Sequence, residues 1–117
     1  MTNFRNLKIW QRAMKLVIAI YNLMRMLPKE EKFGLKSQMT RAAISIPSNI
    51  AEGSSRSSPK EFKHFLEMSL GSAFELETQL LSIKELGLAP EDQINGILNT
   101  LNEEQKMINS FINKLKS

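Results

Sequence analysis

A chain of 117 residues is sized for one domain, 1–117, and can bury a core without covalent staples. It contains no cysteine, which excludes disulfides, thiolate nucleophiles and cysteine-ligated metals. The 16 Lys+Arg and 12 Asp+Glu give a formal charge of +4, unevenly spread: residues 1–60 hold eleven basic and three acidic side chains, a net +8, and residues 61–117 hold five and nine, a net −4. That division fits an anionic partner, and equally fits pairing of the two halves, within one chain or between copies.

The apolar segment Leu16–Ile20 follows Arg5, Lys8, Arg12 and Lys15 and has no small-residue cleavage site after it, so it does not read as a signal peptide. No apolar run approaches the roughly 20 residues of a membrane span. The expected location is the cytoplasm, without a membrane partner.

Proline and glycine punctuate the chain sparsely, and the stretches between them carry helical periodicity without strand-like alternation. The first predicted helix covers about residues 5–27, roughly 35 Å long. It has two apolar seams: Leu7, Trp10, Met14, Val17, Tyr21 and Met24, and Ile9, Ala13, Leu16, Ile20, Leu23 and Leu27. One seam suffices to bury a helix on its own bundle, so the second predicts contact with another subunit. Pro28 stops the helix.

After a charged turn, Lys29 to Lys32, and Phe33-Gly34, the second helix covers about Leu35–Glu52, with Met39, Ala43, Ile46 and Ile50 as its apolar line. Pro47 should kink it by removing a backbone donor and crowding the preceding turn. Gly53 is expected as its C-cap. In the next helix Ser58 can cap, Pro59 suits the first helical position and Glu61 completes a Ser-x-x-Glu capping box. That third helix runs to about Leu86 on the line Phe62, Leu66, Ser69, Ala73, Leu76, Leu80 and Ile83, with Phe65, Phe74 and Leu81 as excess apolar surface. Gly87 ends it. Pro90 opens a fourth helix reaching nearly to Ser117, with Ile94, Leu98, Leu101, Ile108, Ile112 and Leu115 on its face and Gln105 on the same line, toward a partner or water. Short connections favour antiparallel neighbours, hence an all-α, up-down-up-down four-helix bundle with its second helix kinked at Pro47.

Chemistry-bearing groups are few. The single histidine, His64, has Glu61 and Glu67 three residues to either side, but a dimetal helical site needs a second histidine. No metal and no cofactor is expected. Small helical ribonucleases of the HEPN type place an Arg a few residues before a His; here the nearest, Arg56, lies eight residues before His64. Glu75 and Glu77 are two apart and point to different helix faces, so they should form salt bridges to basic residues of the N-terminal half rather than an acid–base pair. With no P-loop, dinucleotide fingerprint or zinc spacing, the chain is not expected to be an enzyme.

The candidate functional feature is the row Arg5, Lys8, Arg12, Lys15, at three- and four-residue spacing with no acid in its own helix. Such a row suits sequence-blind, salt-sensitive phosphate contacts. It also suits a solvated face, or ion pairs to the acidic third helix.

The opening Phe4-x-x-Leu7-x-Ile9-Trp10, the run Phe33-Gly34-Leu35, Gln38 and Arg41-Ala42-Ala43, and above all Ser45-Ile46-Pro47-Ser48-Asn49-Ile50-Ala51-Glu52-Gly53 form a recognisable set. With Ser69-x-Gly71-Ser72 and Glu75-Leu76-Glu77-x-Gln79-Leu80, the chain resembles the 23S rRNA intervening-sequence protein family, also called the four-helix-bundle protein family. The resemblance implies a bacterial four-helix bundle that assembles as a homopentameric ring. It brings in a relative, the accessory protein of diversity-generating retroelements, a pentamer with a basic surface that works with a reverse transcriptase and its template RNA. The implied partners are copies of the chain itself, structured RNA or DNA, and a reverse transcriptase. Arg41 and Arg56 are further candidates for the basic surface. The other reading is a protein-interaction scaffold whose charges serve subunit pairing.

Overall fold

The computed structural model describes residues 3–31 and 34–115. Phe33 of the family-like run and the C-terminal Ser117 lie outside the described residues. Phe4–Asn6 form a 3-10 turn, followed by four helices: α1 Lys8–Met24, α2 Leu35–Ser54, α3 Pro59–Leu86 and α4 Glu91–Lys114.

Helix α1 begins three residues later than the periodicity predicts. Asn3 caps the short turn through Oδ1, which accepts from the Arg5 amide at 3.1 Å, and Leu7 is extended at φ −80°, ψ 127°, separating turn from helix. Its far end tightens before Pro28, with Met26 N–H reaching Leu23 O at 3.0 Å and Leu27 N–H reaching Met24 O at 3.2 Å. The seam Ile9, Ala13, Leu16, Ile20, Leu23 and Leu27 is entirely buried. On the other seam Met24 is buried, Leu7, Trp10 and Val17 are half-buried, and Met14 and Tyr21 are exposed.

Helix α2 carries Pro47 in its interior and continues to Ser54. Gly53 is not its C-cap. It lies inside the helix and is buried, the cap is Ser55 in right-handed helical conformation, and among the described residues only Gly87 has positive φ. A Cβ on Gly53 would come within 3.0 Å of two phenylalanines of α3, so the glycine serves close approach of two helices instead.

The Ser58 cap forms as the sequence predicts: its Oγ accepts from the Glu61 amide at 3.1 Å. The reciprocal half differs, for the Ser58 hydroxyl donates to Glu61 Oε1 at 3.2 Å. At the other end of α3, Gly87 sits at φ +65°. Its N–H reaches Lys84 O, and the Leu88 N–H reaches Ile83 O, both at 3.2 Å, closing a Schellman motif.

Contacts show how the helices run. Ser45 meets Ser72 and Ile46 meets Ser69 while Gly53 meets Phe62, so α2 and α3 are antiparallel. Lys84 reaches Asn95 while Phe62 packs on Phe111, so α3 and α4 are antiparallel. Arg12 reaches Glu103 while Lys8 shares a groove with Lys114, which sets α1 antiparallel to α4 and therefore to α2. The four helices enclose a single apolar core built from the predicted lines, including Met39, Ala43, Ile46, Leu66, Ala73, Leu76, Leu80, Ile94 and Leu101.

Two expectations for the polar residues fail. Among the described residues Glu75 and Glu77 make no ion pair with the N-terminal half: Glu77 Oε1 accepts from Gln105 Nε2 at 2.8 Å, and Glu75 Oε2 accepts from Gln79 Nε2 at 3.4 Å. Gln105 is half-buried beside α3, its Nε2 3.4 Å from Ala73 O, and Glu104 takes the core slot that the periodicity assigns to Gln105.

Candidate functional site

The basic residues singled out by spacing do not form one surface. Arg5 is exposed in the 3-10 turn, its guanidinium 5.0 Å from the Phe4 ring centroid. Lys8 is exposed at the start of α1 and lines a groove with Ile9, Ser110 and Lys114. Arg12 is half-buried and turned to α4: Nη2 is paired with Glu103 Oε1 at 3.3 Å, and Nε lies 4.0 Å from Glu104 Oε1. The ion-pair reading of the row thus holds at Arg12, with the fourth helix and not the third. Lys15 borders a separate groove shared with Asp92 and Gln93.

Arg41 stands apart, in a groove between α2 and α3 with Gln38, Ser45, Ser72 and Glu75. The Ser45 and Ser72 hydroxyls that line it are 2.8 Å apart, and Asn49 Nδ2 donates to both the carbonyl and the hydroxyl of Ser45 at 2.9 Å. Several residues of the family-like motif therefore tie α2 to α3. Arg56 pairs with Glu52 at 2.9 Å and lies 4.7 Å from the Phe65 ring centroid.

The antiparallel arrangement assembles a different set. One end of the bundle gathers the start of α1, the end of α2, the start of α3 and the end of α4. The groove shared by Lys8 and Lys114, the Phe62–Phe111 contact and the Gly53–Phe65 contact mark its level. Arg5, Lys8, Arg56, Lys60, Lys63 and Lys114 lie here against Glu52 and Glu61, six basic side chains to two acidic. Elsewhere, the described residues hold eight basic and ten acidic side chains. Since the Cα extents of the bundle are 44 × 23 × 20 Å, this basic end is concentrated on a face about 20 Å across. Its two acids are already engaged, Glu52 by Arg56 and Glu61 by the Ser58 cap. Among the described residues Arg5, Lys8, Lys60, Lys63 and Lys114 have no ion-pair partner.

Lys60, Lys63 and Lys114 are not singled out by helical spacing to the row on α1. Lys60 and Lys63 are three apart and visible as a pair at the start of the third helix, but linking them to Arg5 and Lys8 requires the topology. No sequence signal marks Glu104, whose carboxyl is pushed up by burial. His64 is exposed, and among the described residues no group of three or more His, Asp or Glu could hold a metal. No helix of the described residues is long and apolar enough to cross a membrane.

None of the curated proteins matches the chain. A crystal structure of a protein of unknown function from the S23 ribosomal protein family of Bacteroides thetaiotaomicron is similar: 28% identical, covering 89% of this chain and 97% of that one, with a TM-score of 0.83. The family model described as 23S rRNA-intervening sequence protein matches residues 5–110, and with the four-helix fold this places the chain in that family.

Proposed function

We propose that this protein is a non-enzymatic, self-assembling four-helix bundle, pentameric as its family resemblance implies, that binds the phosphate backbone of structured RNA or DNA through its basic end. The observation that carries the reading is the segregation of six basic side chains against two acidic ones at one end of the bundle. Phosphate contacts of this kind need positive charge and reach, not a shaped pocket, and carry no base sequence information. Binding of a labelled structured RNA across a salt series tests it. Affinity should fall linearly in the logarithm of salt concentration, and the Lys60→Glu/Lys63→Glu variant should lose at least about tenfold at low salt. Salt-independent binding, or full affinity in the variant, would end this assignment.

Self-assembly is supported by a separate surface. Met14, Ile18 and Tyr21 on α1 and Ile44 on α2 are 37%, 60%, 42% and 42% exposed. Tyr21 shares a groove with Thr40, and Ile44 is one helical turn beyond Thr40, so these residues border the same α1–α2 junction. Half-buried Trp10 and Val17 adjoin them along α1. The face favours the scaffold reading if no nucleic acid binds, since it serves subunit pairing in either case.

A further inference from the structure

Position 104 breaks the apolar stripe of its own helix. Ile94, Leu98, Leu101, Ile108 and Ile112 are buried at three- to seven-residue steps, and Glu104 fills the slot between Leu101 and Ile108 with 0% exposure. Neither carboxyl oxygen has a hydrogen-bond partner, and neither does the Arg12 Nε facing it from α1. Their 4.0 Å separation is beyond hydrogen-bond reach. The outer nitrogen of the same guanidinium is turned to the exposed Glu103.

A carboxylate moved out of water needs donors to replace its hydration, whereas a neutral carboxyl demands much less. Arg12 is the one cation facing Glu104 from α1, and Lys8 and Lys15 sit in the grooves to either side. From α3, the acid turned to α4 is Glu77, already held by Gln105. The buried residues of α2 carry no charge. Burial outweighs the attraction of Arg12 and pushes the Glu104 carboxyl up to about 8.

The seam around this group is bordered by grooves and held by few polar contacts. Grooves of about 260 Å³, beside Lys8 and Met107, and about 440 Å³, beside Leu16 and Thr100, flank it along the α1–α4 junction. Among the described residues, Arg12 with its two glutamates is the sole polar tie between α1 and α4. In contrast, α2 and α3 are joined by the Ser45–Ser72 and Ser69–Ile46 hydrogen bonds and by the close approach at Gly53.

We propose that α4 is a proton-gated latch on α1: protonated Glu104 lets it seat, and ionised Glu104 draws water into the seam and releases it, while α2 and α3 stay paired. Release frees Arg12 and uncovers the apolar stripe of α4.

Amide hydrogen exchange at pH 6 and pH 9, corrected for the intrinsic pH dependence of exchange, tests the latch. Opening of α4 relative to α2 should rise about a hundredfold between the two pH values. Glu104→Gln, neutral at both, should abolish the rise. Equal changes in α4 and α2, or the same rise in the variant, would overturn the proposal. Should Glu104→Gln not fold, carbon-13 NMR titration of the Glu104 carboxyl in the unaltered protein decides. A midpoint above about pH 6.5 supports the latch, and an ordinary carboxylate midpoint near 4.3 overturns it.

Discussion

Gly53 of α2 lies directly against the side-chain stem of Phe65 on α3: a Cβ added to the glycine would stand 2.7 Å from the Phe65 Cβ. It would also stand 2.9 Å from the Phe62 ring and 3.3 Å from the Phe62 carbonyl. The Phe65 Cβ and the carbonyl cannot swing away as a flexible side-chain tip can, so α3 itself must move. Gly53→Ala gains up to about 1 kcal/mol in helix propensity and incurs about 1–3 kcal/mol of overpacking. The clash should win, with a net loss of about 1–2 kcal/mol in urea denaturation. A variant more stable than the wild type would show that the helices do not approach this closely.

Glu104 makes stability depend on pH with a definite sign. Its folded pKa is raised to about 8, so the folded state holds a proton that the unfolded chain has released. The stabilisation is complete below the unfolded value of about 4.3, declines as pH rises, and is lost above the folded value. The full swing is on the order of 5 kcal/mol. Replacing Glu104 by Leu removes the titrating group, so its stability relative to wild type should climb steadily from pH 5 to pH 9. Denaturation curves for the two proteins at pH 5, 7 and 9 measure this. Parallel pH profiles would mean that Glu104 does not titrate in this range.

Arg12 separates charge in the sequence from charge available to a ligand. It shares a helical row with Lys8 and Lys15, yet its Nη2 is paired with Glu103 and its Nε is turned toward the sealed Glu104. Arg12→Gln should therefore leave RNA affinity within about twofold of wild type. The Lys60→Glu/Lys63→Glu variant should fall by at least about tenfold in the same assay. Equal losses in the two variants would return the interface to the face of α1.

The apolar α1–α2 junction predicts a change in assembly. Tyr21 and Ile44 are exposed on neighbouring helices, so neither contributes its full area to the monomer core. Tyr21→Glu with Ile44→Glu should yield monomers by light scattering while helical circular dichroism persists. The monomer should lose no more than about 1 kcal/mol, as expected for surface changes. An unaltered oligomer would locate the subunit contact elsewhere.

Much of the fold is legible in the sequence because helices obey local rules. Ser58, Pro59 and Glu61 mark the start of α3 within four residues of chain, and Gly87 marks its end through a conformation glycine adopts without steric cost. Where local signals compete, reading along the chain misleads. On α4, Leu101 can be followed by a three-residue step to Glu104 or a four-residue step to Gln105. Periodicity and polarity cannot choose between two polar candidates, and packing seats the glutamate. At Gly53 the expectation of a helix cap rests on glycine's conformational freedom, whereas its actual use is the absence of a side chain.

Four helices, most of their ends and nearly all of the apolar lines that meet in the core are legible along the chain. These follow from hydrogen bonding and side-chain spacing within a few residues. Three relations depend on the fold: Arg12 is paired with Glu103, Glu104 is sealed in, and Lys60, Lys63 and Lys114 join Arg5 and Lys8 at one end. Each is a relation between residues far apart in the chain. Burial and electrostatic interaction depend on distance through the folded molecule, and antiparallel packing sets those distances.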